Sequence, residues 1–338
     1  MKKIFTFFTM MTLTIVLSAQ IPQGYYDGTE GLEGEALKDA LHDIIDNHDA
    51  YSYNDLRDFI LRDTDEDPDN PDNVILLYTG RSQPKSTFGG GADDWNREHV
   101  WAKSHGDFGN NPPAGTDAHH IRPTDASVNS SRGNLDFDNG GQQHNEATDC
   151  YFDDDSWEPR DEVKGDVARM IFYMAVRYDG SDGVADLEVV DEVDTSPNAE
   201  HGKLSTLLEW HLQDLPDDFE LNRNEVIYGY QENRNPFIDH PWFATAIWGN
   251  PTAVENPEKL TVKVYPVPAK NRLNVVLPSN SKNMQATVYG ITGQVLLSSG
   301  SVNVQQLSLD VSGLERGIYF VKVMDGGAMI KSVKFSKN

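Results

Sequence analysis

Cysteine, basic residues and long apolar runs are all scarce in this sequence. The 338 residues include one Cys, and 28 Lys and Arg stand against 54 Asp and Glu, which gives a formal net charge of −26. A single cysteine excludes an intrachain disulfide and any zinc site that needs a cysteine pair. Because Cys150 lies in the polar run Thr148-Asp149-Cys150-Tyr151, we interpret it as a structural thiol and not as a catalytic nucleophile.

The longest apolar run lies at the amino terminus and is too short to span a membrane. Met1-Lys2-Lys3 is basic, residues 4–17 carry no charge, and Leu17-Ser18-Ala19 offers a small-residue cleavage site. A spanning helix needs about 20 apolar residues. The pattern therefore predicts a secretory signal peptide over residues 1–19, and a mature protein that is soluble, exported and without a transmembrane segment.

Basic residues are scarcest in residues 20–251, which hold 16 of them against 49 acidic residues, a net charge of −33. A region with this net charge should repel polyanions at long range, which counts against a simple nucleic-acid-binding module. A metal-dependent hydrolase is compatible with this charge, because divalent cations and a few local arginines can make the site itself positive.

Hydrophobic periodicity predicts an α+β protein, with a mainly helical domain over 20–250, a linker over 251–259 and a β-rich domain over 260–338. Apolar residues at helical spacing predict helices over 31–60 with a polar break at 47–49, over Val163–Tyr178 and over Leu204–Leu212, and Val74–Tyr78 reads as a buried strand. Beyond the linker, seven short runs split by turn residues predict a small immunoglobulin-like sandwich: 260–264, 273–277, 286–289, 294–297, 306–311, 318–323 and 330–335.

Two polar segments can each be interpreted in two ways. Residues 63–69 begin like a calcium loop, but Pro68 stands where an EF-hand needs Gly and Val74 where it needs Glu. We interpret the segment as a solvated acidic loop, with weak calcium binding left open. Residues 222–241 are dense in amides, Arg and Pro, which suits either a loop whose polar groups face a ligand or a buried structural network.

The residues best suited to catalysis or metal binding lie between Asn96 and Phe137. We predict strands over Glu98–Trp101 and Ala118–Arg122, the second ended by Pro123, and then a helix that Thr124 or Asp125 caps and that runs to about Arg132. This order places three features at one end of a compact unit. They are a carboxylate adjacent to a His, a pair of His residues, and an Asn-x-x-Arg sequence. Hydrolysis of a phosphodiester needs a base for water, oxygen ligands for a hard cation and a guanidinium for phosphate.

The same residues resemble the endonuclease I family of secreted and periplasmic nucleases, which belong to the ββα-metal (His-Me finger) class. The matching blocks are Arg97-Glu98-His99-Val100-Trp101, Asp117-Ala118-His119-His120-Ile121-Arg122-Pro123-Thr124-Asp125 and Val128-Asn129-Ser130-Ser131-Arg132-Gly133-Asn134. Residues 220–224 and 231–241 are similar to the family's carboxy-terminal signature, so the resemblance covers roughly 20–250.

The resemblance implies a sequence-nonspecific endonuclease that acts on DNA and possibly on RNA and leaves 5′-phosphate ends. His99 would be the general base, and Glu98 and Asn129 would hold one Mg²⁺, with Mn²⁺ or Ca²⁺ able to substitute or to add structurally. Arg132 would clamp phosphate, or would instead form a salt bridge to acidic neighbours. Further residues are expected to bind substrate or support the site: His119, His120, Arg122, Asn134, Gln231, Asn233 and Arg234.

The β-rich tail resembles the carboxy-terminal sorting domain of proteins exported by the type IX secretion system. The resemblance rests on Val264-Tyr265-Pro266-Val267-Pro268-Ala269, Gly293-Gln294-Val295 and the run from Leu314 to Val323. It implies a partner in that machinery and a monomeric product that is secreted or attached to the cell surface. The alternative for the tail is an ordinary substrate-binding sandwich.

Two other functions stay open at this point. One is a zinc hydrolase built on His99, His105, His119 and His120, although the sequence lacks His-Glu-x-x-His. The other is a non-catalytic, calcium-dependent surface-binding protein, which the acidic loops favour.

Overall fold

The computed structural model describes residues 21–249, 262–276, 284–291, 293–299, 306–325 and 328–338. The predicted signal peptide (1–19) and the predicted linker (251–259) lie outside the described residues. Helices and strands both contribute, so the protein is of the α+β class, as predicted. In the part of the chain that is described, no helix combines the length and the apolar character needed to cross a membrane.

Helices provide most of the regular structure of residues 21–249. They are α1 (Glu35–Ile45), α2 (Tyr53–Asp55), α3 (Leu61–Thr64), α4 (Ala126–Arg132), α5 (Lys164–Arg177), α6 (Leu204–Gln213), α7 (Asp218–Gln231), α8 (Pro236–Asp239) and α9 (Trp242–Trp248). A π-helical turn, Leu56–Ile60, joins α2 to α3. The predicted helices at 31–60, with their polar break, and at α5 and α6 are confirmed. Of the two interpretations of residues 222–241, the one as a loop is wrong for the first half, because α7 continues to Gln231.

Helix α5 is buried on every side, although the sequence predicted a single apolar face. All 14 of its residues are buried, including Arg169 and Arg177. It packs against α1, α6 and α8, which surround it. Its arginines have acidic partners, since Arg169 pairs with the buried Glu220 and Arg177 pairs with the half-buried Asp46 at 2.8 Å. The helix is therefore the centre of the main apolar core.

The strands of residues 21–249 are short. They are β1 (Glu66–Asp67), β2 (Asn70–Ile75), β3 (Ser82–Pro84), β4 (Trp95–His99), β5 (Ile121–Asp125), β6 (Asp136–Phe137), β7 (Gln142–Gln143), β8 (Tyr151–Phe152), β9 (Ser156–Glu158), β10 (Glu188–Val189) and β11 (Glu200–His201). They form sheets in the orders β1-β2-β3, β4-β5, β6-β9-β8-β7 and β10-β11. The strand predicted over Val74–Tyr78 is only partly correct, since β2 ends at Ile75.

The hairpin β4-β5 and the following helix α4 form the unit that carries the candidate site. The strands are antiparallel, and His99 at the end of β4 pairs with Ile121 at the start of β5. Asp125 caps α4, as predicted, because its carboxylate accepts hydrogen bonds from the backbone of residues 127 and 128. The second strand, however, starts later than predicted and runs through Pro123, which a two-stranded sheet tolerates at its edge.

The described part of the tail contains β12 (Lys263–Tyr265), β13 (Arg272–Val276), β14 (Met284–Tyr289), β15 (Val295–Ser298), β16 (Gln306–Asp310), β17 (Gly317–Asp325) and β18 (Ala328–Lys337). Each of the seven runs predicted from the sequence overlaps one of these strands. They form two sheets, β12-β13-β16 and β15-β14-β17-β18. Alternate side chains from both sheets, such as Val275 and Val321, meet in one apolar cluster.

Candidate active site

Helix α4 lies against β4 and brings together the three residues expected to carry the chemistry. The side-chain nitrogen of Asn129 donates to Asn96 Oδ1 at 2.6 Å and to the backbone oxygen of Arg97 at 3.1 Å. Glu98 and His99 follow directly on the same strand. The fold therefore holds Asn129 beside the strand that carries Glu98 and His99.

His99 is held as a neutral imidazole with one defined tautomer. Its Nε2 lies 3.1 Å from the backbone oxygen of Gly115, which can only accept, so the proton is on Nε2 and Nδ1 is the basic nitrogen. The ring of Tyr53 stacks on it, with centroids 5.6 Å apart. Burial, followed by the nearby His120, lowers the pKa of His99 well below its usual value. At neutral pH the ring is thus free to accept a proton.

Glu98 and Asn129 offer two oxygen atoms of the kind that Mg²⁺ prefers. Glu98 is 2% exposed, and its Oε1 accepts from the Tyr78 hydroxyl at 2.7 Å and faces Arg132 at 3.3 Å. Both contacts are to Oε1, which leaves Oε2 for another partner. The amide of Asn129 donates through its nitrogen, so its oxygen is the atom left to bind a cation. A carboxylate and an amide oxygen suit a hard divalent ion that keeps several waters.

Arg132 does not reach solvent, so the structure does not support its interpretation as a phosphate clamp. The side chain is fully buried. It donates to the backbone oxygens of His99 at 3.0 Å and Val100 at 2.8 Å and forms an ion pair with Glu98. Its Nη2 also lies 3.2 Å from Nε2 of His201. The alternative of a salt bridge to an acidic neighbour is the arrangement observed, and the arginine holds Glu98 and the end of β4 in place.

A buried group of three side chains, which sequence reasoning missed, supports this arginine. His201 accepts from the guanidinium through Nε2, so its Nδ1 carries the proton and faces Asp136 Oδ1 at 3.1 Å. The nitrogens of His105 lie 2.7 Å from the backbone oxygen of Glu200 and 2.8 Å from that of Asn134. The ligand atoms of His105, Asp136 and His201 are within 4.8 Å of one another, a spacing that could hold a metal ion. Because each ring nitrogen already faces a hydrogen-bond partner, the group is better described as a hydrogen-bond network.

Comparison with known sequences identifies the family. The sequence profile described as Endonuclease I matches residues 33–242, and the one described as Secretion system C-terminal sorting domain matches residues 263–337. The chain belongs to the endonuclease I family. It is a nuclease with a type IX sorting domain, and it is secreted or located at the cell surface.

Curated relatives agree with this assignment. The extracellular ribonuclease of Bacillus subtilis (strain 168) is 60% identical over 225 residues, which is 66% of this chain and 78% of the relative. The extracellular ribonuclease of Bacillus amyloliquefaciens is 55% identical over 244 residues, 72% of this chain and 84% of the relative. A funoran endo-beta-hydrolase of Wenyingzhuangia aestuarii is 32% identical over 76 residues, 22% of this chain and 10% of the relative.

The His pair of this endonuclease I family member is buried and faces backbone oxygens. His119 Nε2 lies 3.3 Å from the oxygen of Asn233, and His120 Nε2 lies 2.8 Å from that of Ala114. Burial lowers the pKa of His119 to about 3 and that of His120 to about 4. Among the described residues the histidines of the proposed zinc hydrolase do not converge on one point, since the metal-type cluster found there contains only His105 of that set.

The family's carboxy-terminal signature forms a buried structural network and not a substrate-facing loop. Asp117 accepts hydrogen bonds from the hydroxyls of Tyr173 and Tyr178, at 2.8 and 2.9 Å, and from Gln231 at 3.0 Å. Asn233 donates to the Tyr173 oxygen at 2.7 Å. These contacts fix the segment that leads into β5. Gln231 and Asn233 therefore support the site from behind, and a direct contact with substrate is not available to them.

Arg234, Arg122 and Asn134 also have partners within the protein. Arg234 is 1% exposed and pairs with Asp239 at 2.7 Å. Arg122, equally buried, pairs with Asp65 and with Asp166 at 3.2 Å. The side-chain nitrogen of Asn134 donates to Ser196 Oγ at 2.9 Å. This geometry does not support substrate binding by the two buried arginines, whereas Asn134 is exposed and its role stays a prediction.

The predicted solvated acidic loop is wrong for its central residue. Asp65 is fully buried and accepts from two arginines, Arg122 and Arg223. Asp67 accepts from Ser82, and Asp63 from the Tyr230 hydroxyl. Because these carboxylates have protein partners, the segment gives no support to the alternative of a calcium-dependent binder.

Proposed function

We propose that this nuclease is a Mg²⁺-dependent endonuclease that hydrolyses RNA and DNA without sequence preference and leaves 5′-phosphate ends. The observation that carries the proposal is the position of His99, whose Nε2 faces the Gly115 oxygen and leaves Nδ1 to accept a proton, on the strand that carries Glu98 and that Asn129 contacts. The two Bacillus relatives named extracellular ribonucleases support RNA as a substrate. Mn²⁺ or Ca²⁺ could replace Mg²⁺ or add to it structurally.

The residues divide the reaction between them. His99 accepts a proton from the attacking water at Nδ1, while the Gly115 oxygen keeps the ring oriented through Nε2. Glu98 Oε2 and Asn129 Oδ1 would hold the cation. When bound, Mg²⁺ supplies positive charge that stabilises the phosphate oxygens and the departing 3′ oxygen. Arg132 acts as a positioning residue that fixes Glu98, and His120 packs beside His99 with ring centroids 5.5 Å apart.

The finer architecture is also part of the proposal. The hairpin β4-β5 and helix α4 would be the ββα-metal core, and the two sheets of the tail an immunoglobulin-like sandwich. We propose a signal peptide over 1–19, a nuclease domain over 20–250, a linker over 251–259 and a sorting domain over 260–338, in a protein that acts as a monomer. The ends of the two matched profiles support these bounds.

The proposal can be tested by titrating Mg²⁺ against a plasmid and a labelled RNA, with a chelator as the blank. Progressive cleavage that needs Mg²⁺ and yields 5′-phosphate ends is expected. His99→Ala should lose about 10²–10⁴-fold in rate at every Mg²⁺ concentration, while Asn129→Ala should recover partly at high Mg²⁺. Cleavage that only Zn²⁺ restores, or no cleavage at all, would overturn the proposal.

A further inference from the structure

Nearly every cation of the nuclease domain has an acidic partner, and the exceptions are informative. Residues 21–249 contain 16 Lys and Arg, and thirteen of them form an ion pair within 4 Å. Within this described range, the three without such a pair are Arg62, Arg97 and Lys103. These three are therefore the exception in a domain with three times as many acidic as basic residues.

Arg97 lies next to the general base. It is two residues before His99 on β4, so both side chains point to the same face of the strand. Its guanidinium carbon is 3.4 Å from the centre of the Tyr53 ring, the same ring that stacks on His99. Its Nε is buried and has no hydrogen-bond partner. Its Nη1 donates to the backbone oxygen of Tyr53. Burial is the main cause that lowers the pKa of Arg97, which agrees with a half-buried cation that has no ion-pair partner among the described residues.

Arg62 belongs to the same basic surface. Arg57 and Arg97 both lie over the Phe88 ring, at 5.4 and 5.1 Å. The nearby carboxylate, Asp58, is held by Arg57 through both oxygens, at 2.5 and 2.8 Å. That hydrogen bond, and then the charges of Arg57, Arg62 and Arg97, lower the pKa of Asp58. Asp58 is thus paired with Arg57, and neither Arg62 nor Arg97 forms an ion pair with it.

Lys103 approaches His99 from the segment that follows β4. It is exposed, and its ammonium donates to Asn110 Oδ1 at 3.0 Å. Residues 103–113 lead to Gly115, whose oxygen orients the His99 ring. The charges of Lys103 and Arg97 contribute to the lowered pKa of His99, after burial and the charge of His120. Arg97 and Lys103 are therefore close to the candidate active site, and Arg62 is linked to Arg97 through Asp58, on which the charges of both act.

We propose that Arg62, Arg97 and Lys103 bind the phosphodiester backbone of the substrate and take the role that the buried Arg132 cannot. The inference rests on the proposed nuclease function and names the residues through which a domain of net charge −33 holds a polyanion. Guanidinium and ammonium groups recognise phosphate oxygens and not bases. Binding through them alone favours cleavage without sequence preference.

The test compares unpaired with paired cations of equal charge. Arg62→Gln, Arg97→Gln and Lys103→Gln are made singly and together, and Lys85→Gln and Lys203→Gln, which remove cations paired with Glu66 and Asp138, serve as controls. KM and kcat are measured on a labelled single-stranded RNA at saturating Mg²⁺ and several KCl concentrations. Each lost phosphate contact should raise KM and reduce the slope of log(kcat/KM) against log[KCl] by about 0.7. The triple variant should lose a slope of about 2.

Arg97→Lys keeps the charge and should keep the slope, which separates a lost phosphate contact from a distorted Tyr53–His99 stack. If the triple variant has the KM and salt slope of Lys85→Gln while the wild type cleaves RNA, the inference is wrong and the nuclease function stands. If the wild type cleaves neither RNA nor DNA, both are overturned.

Discussion

Replacement of Arg132 by methionine should strongly destabilise the nuclease domain. The guanidinium is fully buried, pairs with Glu98 at 3.3 Å and donates to two backbone oxygens at 2.8 and 3.0 Å. Methionine fills most of the volume but leaves the buried carboxylate of Glu98 with the Tyr78 hydroxyl and without its cationic partner. Breaking a buried ion pair from one side costs about 3–5 kcal/mol, and each unsatisfied oxygen adds to this. We expect a loss of about 4 kcal/mol in the free energy of unfolding.

Urea unfolding followed by tryptophan fluorescence measures this loss in the correct domain. All 6 tryptophans lie before residue 250, so the signal does not depend on the tail. The double variant Arg132→Met/Glu98→Gln removes the uncompensated charge and should recover at least about 2 kcal/mol of the loss, because neighbouring residues are not additive. A loss below about 1 kcal/mol in Arg132→Met would be typical of an exposed arginine. Such a small loss would contradict the buried ion pair and would favour the interpretation of Arg132 as a phosphate clamp.

Three further predictions address other parts of the molecule. His201→Leu should raise the Mg²⁺ concentration for half-maximal activity more than it lowers the rate at saturating Mg²⁺, because His201 accepts from the arginine that positions Glu98; an equal effect on both would contradict this role. Burial, and then the charge of Arg169, lowers the pKa of His211 in the folded protein to about 3. The neutral ring therefore contributes stability above the pKa that His211 has in the unfolded chain, and this stability is lost as the pH falls from that value toward the folded-state pKa. Between pH 7.5 and pH 5 the wild type should lose about 2 kcal/mol more than His211→Gln in urea unfolding, and parallel curves would rule this out. A chain ending at Asn250 should cleave RNA at close to the full-length rate but should not be exported to the cell surface; a well-folded but inactive truncation would argue against two independent modules.

The parts of the fold that sequence predicted are those that local residues determine. Asp125 could be recognised as a helix cap because its partners are two and three residues away, and the strands of the tail follow from alternation and turn residues. The burial of α5 could not be predicted, since its polar face is covered by helices from distant parts of the chain. The interpretation of residues 222–241 failed in part because amides and arginines look alike whether they face a ligand or a buried carboxylate.

The same distinction between local and long-range contacts determines which residues of the site could be predicted. Glu98, His99 and Asn129 come together through one hairpin and one helix, so their order in the sequence was enough to group them. His201 contacts both Asp136 and Arg132 across a long stretch of chain, and no motif marks it. The role of Arg132 was decided by burial, which the sequence does not record. Asp136 lies inside the central stretch that sequence reasoning singled out, but a lone Asp gave no reason to select it.

The hydrogen bonds that converge on Asp117 have a consequence for the order of events during export. This carboxylate anchors the start of the second strand of the site, and its partners Tyr173, Tyr178 and Gln231 come from later parts of the chain. A polypeptide of which only the part up to α6 has been exported lacks Gln231 and the helices that enclose it. We expect such a partial chain to have no ordered cleavage site. Assembly of the site therefore requires almost the whole domain, from β4 to the end of α7, on one side of the membrane.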